Sequence, residues 1–338
     1  MEQTATSTAT TDISVDKIDL YIMKLLSTNC RSSYRTMSSI VRISTNAVKT
    51  RVKYLLDKGI IQKFNVVINP AIFGYEKQCF LIVRDLDKLI MKEEKVENYI
   101  FHRLNLLGDV LSCAVQLGGE SAIFLVLLRP WSEDKIESMI TLLQPAIVEY
   151  RCAIMNPPSM NVSISDLKIM NCLLSDARME IVNIAKKTSI SNRTVTRRLE
   201  RMQQNHVITD FRVMRNMSSM NLTGYIEFLL IVYVNNKSAH GEIVERMYRE
   251  MQEYLIYVPL NISGSEVIIA LFFCSNIPTV DSITRRVKSY DGLQDVKLFI
   301  TTQVKHYEDW LVRQINKKIT SYSTKTKPSK IRLYAARK

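Results

Sequence analysis

One stretch of this chain is written twice. The segment DKIDLYIMKLLSTNCRSSYRTMSSIVRISTNAVKTRVKYLLDKGIIQKFNVVIN starts at Asp16, and SISDLKIMNCLLSDARMEIVNIAKKTSISNRTVTRRLERMQQNHVITDFRVMRN starts at Ser163; the two align without a gap at an offset of 147. Asp19-Leu20 falls on Asp166-Leu167, Ile43-Ser44 on Ile190-Ser191, Val48 on Val195, Arg51 on Arg198, Ile61 on Ile208, Phe64 on Phe211 and Asn69 on Asn216. After a three-residue difference, Gly74-Tyr75 matches Gly224-Tyr225. Core and surface positions agree together, which marks a tandem duplication. The fold must therefore be a unit that occurs twice, and 338 residues give each copy enough chain for its own core.

Each copy opens with three helical segments. Ile18, Ile22 and Leu25 follow helical spacing, with Asp16 placed as N-cap; in the second copy Ser163-x-x-Asp166 is a capping-box pattern. A short second helix follows at Tyr34–Val41 and at Glu180–Lys187. Ser44 and Ser191 then stand as N-caps of a third helix that ends near Lys58 or Asn205. Val48, Val52 and Leu55 form its apolar stripe, matched by Val195, Leu199 and Met202, and Gly59 is placed as a C-cap. IIQKFNVVIN and VITDFRVMRN look like paired strands of a small wing.

A short helix, a tight turn and a helix with one apolar and one polar-basic face make a helix-turn-helix. The exposed face carries Asn46, Lys49, Thr50 and Lys53 in copy one, and Arg193, Thr196, Arg197 and Glu200 in copy two. Thr45 and Asn192 stand at the helix starts, the end that approaches base edges. Amide, hydroxyl and guanidinium groups read bases, while Lys mainly contacts phosphate. Arg51 and Arg198 either reach phosphates or brace the fold.

The charge distribution agrees. The formal net charge is +13, yet residues 42–63 hold six basic residues and one acid, and residues 186–215 hold eight and two. Residues 78–155 and 225–310 each hold eight basic and eleven acidic residues. Residues 311–338 hold nine basic residues and no acid, a run suited to a polyanion or to a solvated tail. Double-stranded DNA is the expected partner.

After each head comes a β-α-β-β-α-β pattern. Strands fall near 78–84, 109–117, 121–128 and 146–154, with helices near 93–105 and 133–143; the second set is 226–235, 256–262, 266–273 and 294–302, with helices near 240–254 and 279–289. That order gives a ferredoxin-like sandwich with one sheet face covered by helices and the other free to meet a second sheet. Runs such as CFLIV, IFLVLL and VIIALFF are apolar on both faces, as in a sheet buried from both sides. The expected class is α+β, divided as a tail at 1–13, a winged helix-turn-helix at 14–75, a sheet domain at 76–156, a second winged helix-turn-helix at 157–223, a second sheet domain at 224–310, and a basic tail at 311–338.

DKIDLYIMKLLSTN, ISTNAVKTRVKYLLDKGII, VVINPAIFGY and GGESAIFLVLL resemble the Lrp/AsnC family of feast/famine transcription regulators, over about 14–155 and again 161–305. The resemblance implies a winged helix-turn-helix joined to a ferredoxin-like, RAM-type sensor domain, DNA binding by paired heads, and sheet-to-sheet pairing that favours a homo-oligomer. For many members it also implies an amino acid or related effector at the sensor interface. Two departures matter. The usual protomer has one head and one sensor, so this chain resembles a covalent pseudo-dimer. The family's Gly-x-x-Asp loop is here Gly119-Glu120-Ser121-Ala122 and Gly264-Ser265-Glu266-Val267, which keeps the Gly and loses the acid at its position. These residues are either a tight turn or an effector contact in which Glu120 or Glu266 replaces the Asp.

Other functions find little support. The six cysteines, at 30, 79, 113, 152, 172 and 274, form no CxxC pair and read as buried reduced thiols, so neither disulfides nor structural zinc are expected. No metal or cofactor is expected. Some proteins similar to this family are sirohaem decarboxylases, but His102, His206, His240 and His306 occupy no repeated position. Trp131 and Trp310 look like packing residues. No apolar run reaches about 18 residues, and MEQTATSTATTD has no basic start or apolar stretch, so a cytoplasmic regulator is expected. The alternative is an architectural or replication-type DNA-binding protein that answers to no effector.

Overall fold

Orphan amides set where the head helices begin. In the computed structural model, which describes residues 14–89, 95–216, 223–257, 260–261 and 266–325, helix α1 (Lys17–Thr28) starts at Asp16. The Asp16 carboxylate accepts from the Ile18 and Asp19 amides, and Asp19 accepts in return from the Asp16 amide. Helices α2 (Tyr34–Val41) and α3 (Thr45–Asp57) complete the first head, with Ser33 and Ser44 capping them. The first unit continues through β1 (Ile61–Ile68), β2 (Lys77–Arg84), α4 (Val96–Leu104), β3 (Asp109–Gln116), β4 (Ser121–Leu128), α5 (Glu133–Leu142) and β5 (Ile147–Ile154). The second repeats the order as α6 (Ile164–Ser175), α7 (Ile181–Thr188), α8 (Asn192–Gln204), β6 (Ile208–Arg215), β7 (Ile226–Val234), α9 (His240–Met251), β8 (Leu260–Asn261), β9 (Val267–Cys274), α10 (Ile277–Lys288) and β10 (Leu293–His306). A last helix, α11 (Asp309–Lys325), follows.

The repeat extends to backbone dihedrals. The chain leaves α2 at Arg42 (φ 58°) and α7 at Ser189 (φ 57°), and passes the end of α3 at Gly59 (φ 64°) and of α8 at His206 (φ 56°). Glycine meets that left-handed turn freely in the first copy, whereas the second holds a histidine there against steric preference. The predicted stripes point inward: Val48, Val52 and Leu55, and likewise Val195, Leu199 and Met202, are buried.

In space the strands run β5-β2-β4-β3 in the first unit and β10-β7-β9-β8 in the second, both the ferredoxin-like order, with all neighbours antiparallel. Helices cover one face of each. The two sheets join edge to edge, His306 to Thr301 of β10 lying against Ser112 to Gln116 of β3. They also meet face to face: Ile123 of β4 packs with Ile231 and Tyr233 of β7, Val267 and Phe299. The Tyr233 hydroxyl donates to Glu149 of β5 at 2.6 Å, which ties one sheet to the far edge of the other.

The paired wing strands expected after the heads are β1 and β6, which pair antiparallel with each other, so the two heads share one ribbon. Two expectations need correction, and a third is described only in part. The strand expected near 256–262 is present at Leu260–Asn261, beside a bridge from Leu255 to Phe272, while positions 258–259 and 262 lie outside the described residues. Cys79 and Cys152 form a disulfide rather than two reduced thiols. They lie directly opposite each other in the β2–β5 ladder, 4.1 Å apart at Cα, a neighbourhood set by strand register and invisible in sequence spacing. Cys30, Cys113, Cys172 and Cys274 are free. Finally, the basic run from 311 is a helix as far as Lys325, anchored by buried Trp310, Leu311 and Ile315; the tails at 1–13 and 326–338 lie outside the described residues.

Candidate nucleic-acid interface

Each recognition helix is held by a cap at its start and a brace along its side. Ser44 accepts from the Ala47 amide and Ser191 from the Thr194 amide, fixing the first turns of α3 and α8. The Thr45 hydroxyl lies 3.2 Å from that of Ser38, joining the helix start to α2. Thr45, Asn46, Lys49, Thr50 and Lys53 are exposed on α3, and Asn192, Arg193, Thr196, Arg197 and Glu200 are exposed on α8. All the predicted reading residues thus stand on open helix faces, opposite the buried stripes.

Arg51 and Arg198 are placed otherwise. Arg51 donates to Asp16 and Asp19, each at 2.8 Å, and Arg198 donates to Ser163 Oγ and Asp166 Oδ1, each at 2.9 Å. Of the two roles foreseen for them, these contacts belong to the brace, since they tie the third helix to the capped start of the first. Asp19 and Asp166 are buried, which strengthens each pair. Burial raises the Asp16 carboxyl, but hydrogen bonds from the Asp19 amide and Arg51 outweigh it and hold the group below its ordinary value.

The heads are locked to each other by residues that the sequence reading passed over. Arg31 donates to the carbonyls of Ala177 (2.6 Å) and Met179 (3.1 Å). Arg178, 147 positions later, donates to the carbonyls of Cys30 and Ser32, the equivalent pair. Each guanidinium also lies over a ring of the shared ribbon, Arg31 above Phe211 and Arg178 above Phe64. The Asn69 amide donates to the Val207 carbonyl and the Asn216 amide to that of Ile60, a second reciprocal pair. This is the self-complementary contact of a two-fold dimer, made within one chain. The signal was present in the sequence as an arginine repeated at the offset of 147, but its partners are carbonyls, which side-chain motifs do not reveal.

The candidate effector residues of the first unit sit at the β3–β4 turn. Gly118 (φ 90°) and Gly119 (φ 76°) make the β3–β4 turn, a conformation that suits glycine, and the Glu120 carbonyl accepts from the Leu86 amide. Ser121 opens β4, and Glu266 accepts at its carbonyl from the Val234 amide, while Gly264 and Ser265 lie outside the described residues.

Comparison with known proteins decides the family. A profile described as winged helix-turn-helix DNA-binding matches residues 15–62 and 163–209, one match per head. The transcriptional regulator Ptr1 of Methanocaldococcus jannaschii is 33% identical over 115 residues, covering 34% of this chain and 73% of that protein. The transcriptional regulator LrpA of Pyrococcus abyssi is 36% identical over 104 residues, covering 30% of this chain and 74% of that protein. The chain belongs to the Lrp/AsnC family. This Lrp/AsnC protein is a DNA-binding transcription regulator, and its single chain carries two head-and-sheet units as a covalent pseudo-dimer. Over nearly the whole chain the fold is also similar to the siroheme decarboxylase NirDL, crystallised with an iron-uroporphyrin III analogue. The TM-score is 0.50 at 12% identity, covering 89% of this chain and 99% of that one. At that identity the likeness is one of fold.

Proposed function

We propose that the chain binds one duplex with two unlike heads, reading two unlike half-sites in inverted orientation. The observation that carries this is the reciprocal lock of Arg31 and Arg178, which with the β1–β6 ribbon fixes the heads as one body. Two fixed recognition helices act like the helices of a dimeric repressor, whose half-sites lie about one helical turn, roughly 10 base pairs, apart. Thr45, Asn46, Thr50, Asn192, Arg193, Thr196 and Arg197 read bases; Lys49 and Lys53 contact phosphate; Arg51 and Arg198 hold the helices in place. Exposure of the first two groups on the open helix faces supports contact with DNA, and the chemistry of amide, hydroxyl and guanidinium groups against ammonium groups supports the division. A binding selection with wild-type protein and with Arg193→Ala/Arg197→Ala tests it: preference is expected to relax at one half-site and persist at the other, and unchanged preference at both removes these residues from the reading face.

Further copies join through the sheet domains, in the compartment where the DNA lies. The free edge strand β5 exposes Ile147, Tyr150 and Ile154, which supports that reading. An amino-acid-type effector at the β3–β4 turn would meet Glu120 as its acid, and Glu266 is the corresponding group in the second unit. The protein acts by binding rather than catalysis: added sirohaem is expected to leave no Soret band on the protein after gel filtration, and a retained band would favour the decarboxylase reading.

A further inference from the structure

The two units differ in the cleft between a head and the sheet domain of the other unit. Helix α11 fills this cleft against α6. Trp310 sits edge-on to Tyr75, with ring centroids 5.5 Å apart, and to Phe73 at 6.4 Å. Arg313 pairs with Asp109 at 3.2 Å, Lys318 donates to the Ile72 carbonyl, and the Tyr322 hydroxyl donates to the Val162 carbonyl. Trp310, Leu311 and Ile315 are buried in one cluster with Leu174.

The equivalent cleft, between α1 and the second sheet domain, has no such plug among the described residues. It is a cavity of about 420 Å³, a size suited to a small molecule. Its walls correspond to those of the filled cleft. Tyr225 stands for Tyr75, Phe273 for Leu127, and Tyr254, Leu255 and Ile256 for Asp109, Val110 and Leu111, because Leu255 pairs with Phe272 as Val110 pairs with Val126. Tyr225 and Phe273 stack with centroids 5.0 Å apart. Two of the substitutions in the lining bear most directly on what it can bind. Ser27 replaces Leu174, and Lys24 replaces Asn171. Ser27 is 1% exposed, and its hydroxyl has no hydrogen-bond partner among the described residues, which is costly unless something enters to satisfy it. Lys24 donates to the Gln252 carbonyl and keeps further donors. Lys17 also lines the cavity, while Glu253 would repel a second negative charge.

We infer that this cleft binds a small aromatic monocarboxylate, its ring taking the place that the Trp310 indole holds in the other half, its carboxylate facing Lys24 and Lys17, with Ser27 donating to it. The ligand would pin the first head to the second sheet domain as α11 pins the second head to the first. This site lies apart from the β3–β4 turn and from both recognition helices, so it stands independently of the half-site reading.

The test is calorimetric titration of the full chain with indole-3-propionate and with its neutral amide. One acid should bind per chain, with the amide weaker by roughly tenfold, the order of a charge-assisted hydrogen bond. Ser27→Leu, which copies the filled half, should abolish binding, and Lys24→Asn should weaken it by roughly tenfold, with unchanged melting curves showing that both variants fold. No saturable binding, two molecules per chain, or binding indifferent to both substitutions would overturn the proposal.

Discussion

Arg31 and Arg178 stand 147 positions apart, and each donates to the two carbonyls that flank the other. A homodimer would make this contact twice by symmetry; here duplication has placed both copies in one chain. Two heads so joined present their recognition helices at a fixed separation, whatever the protein concentration.

Removing that lock should separate the heads without altering what each one reads. Arg31→Ala/Arg178→Ala leaves four carbonyls without their charged donors, each such bond being worth about 1.5 to 3 kcal/mol before water or neighbouring groups compensate. A lower melting temperature and weaker affinity for the full operator are expected, with half-site sequence preference retained. Melting and affinity both unchanged would mean that the ribbon alone holds the heads together.

The braces should behave as structural groups. The Arg198–Asp166 pair is mostly buried on its acid side, so Arg198→Ala should destabilise the chain by about 2 kcal/mol, somewhat below the range for fully buried pairs. The salt slope of DNA binding should remain unchanged. A slope lower by about 0.9 would instead place Arg198 on a phosphate.

Acid should loosen the second sheet domain at one identifiable point. Hydrogen bonds from Arg286 first, then Arg246 and Tyr290, draw the Glu250 carboxyl from an ordinary 4.5 down to about 2. Below pH 4.5 the unfolded chain takes up this proton before the folded chain does, so the stabilisation is complete above that pH and declines toward pH 2. Glu250→Gln should flatten the decline in melting temperature over this window, and an unchanged acid limb would remove the group from the linkage.

Much of this fold was legible because the duplication confirmed each local signal. Ser44 and Ser191 announce their helices, and the strands β2, β4 and β9 fall within a residue or so of their apolar runs. The missed features depend on distant register. Nothing local brings Cys79 opposite Cys152. Helix α11 was obscured by its charge, although Trp310, Leu311, Ile315 and Ile319 already mark an apolar face among the lysines. At the interface, the open residues of α3 and α8 were readable from the stripes opposite them, whereas the carbonyl partners of Arg31 and Arg178 were not.

The basic C-terminus now divides in two. Lys317 and Lys318 belong to a packed helix, while five basic residues (Lys327, Lys330, Arg332, Arg337 and Lys338) follow Lys325. Truncation after Lys325 should leave the melting temperature unchanged and reduce the salt slope of DNA binding by about 0.9 for every phosphate these side chains neutralise. An unchanged slope would assign those charges to solvent.

The most direct measurement is a binding selection with a chain whose two reading faces have been made alike. Thr45→Asn/Asn46→Arg/Lys49→Thr/Thr50→Arg transfers the face of α8 onto α3 at four exposed positions. Wild-type protein should select two unlike half-sites about one turn apart, and the variant an inverted repeat of the half-site read by α8. A variant that selects the same sequence as wild type would contradict the claim that the two heads read DNA through these faces.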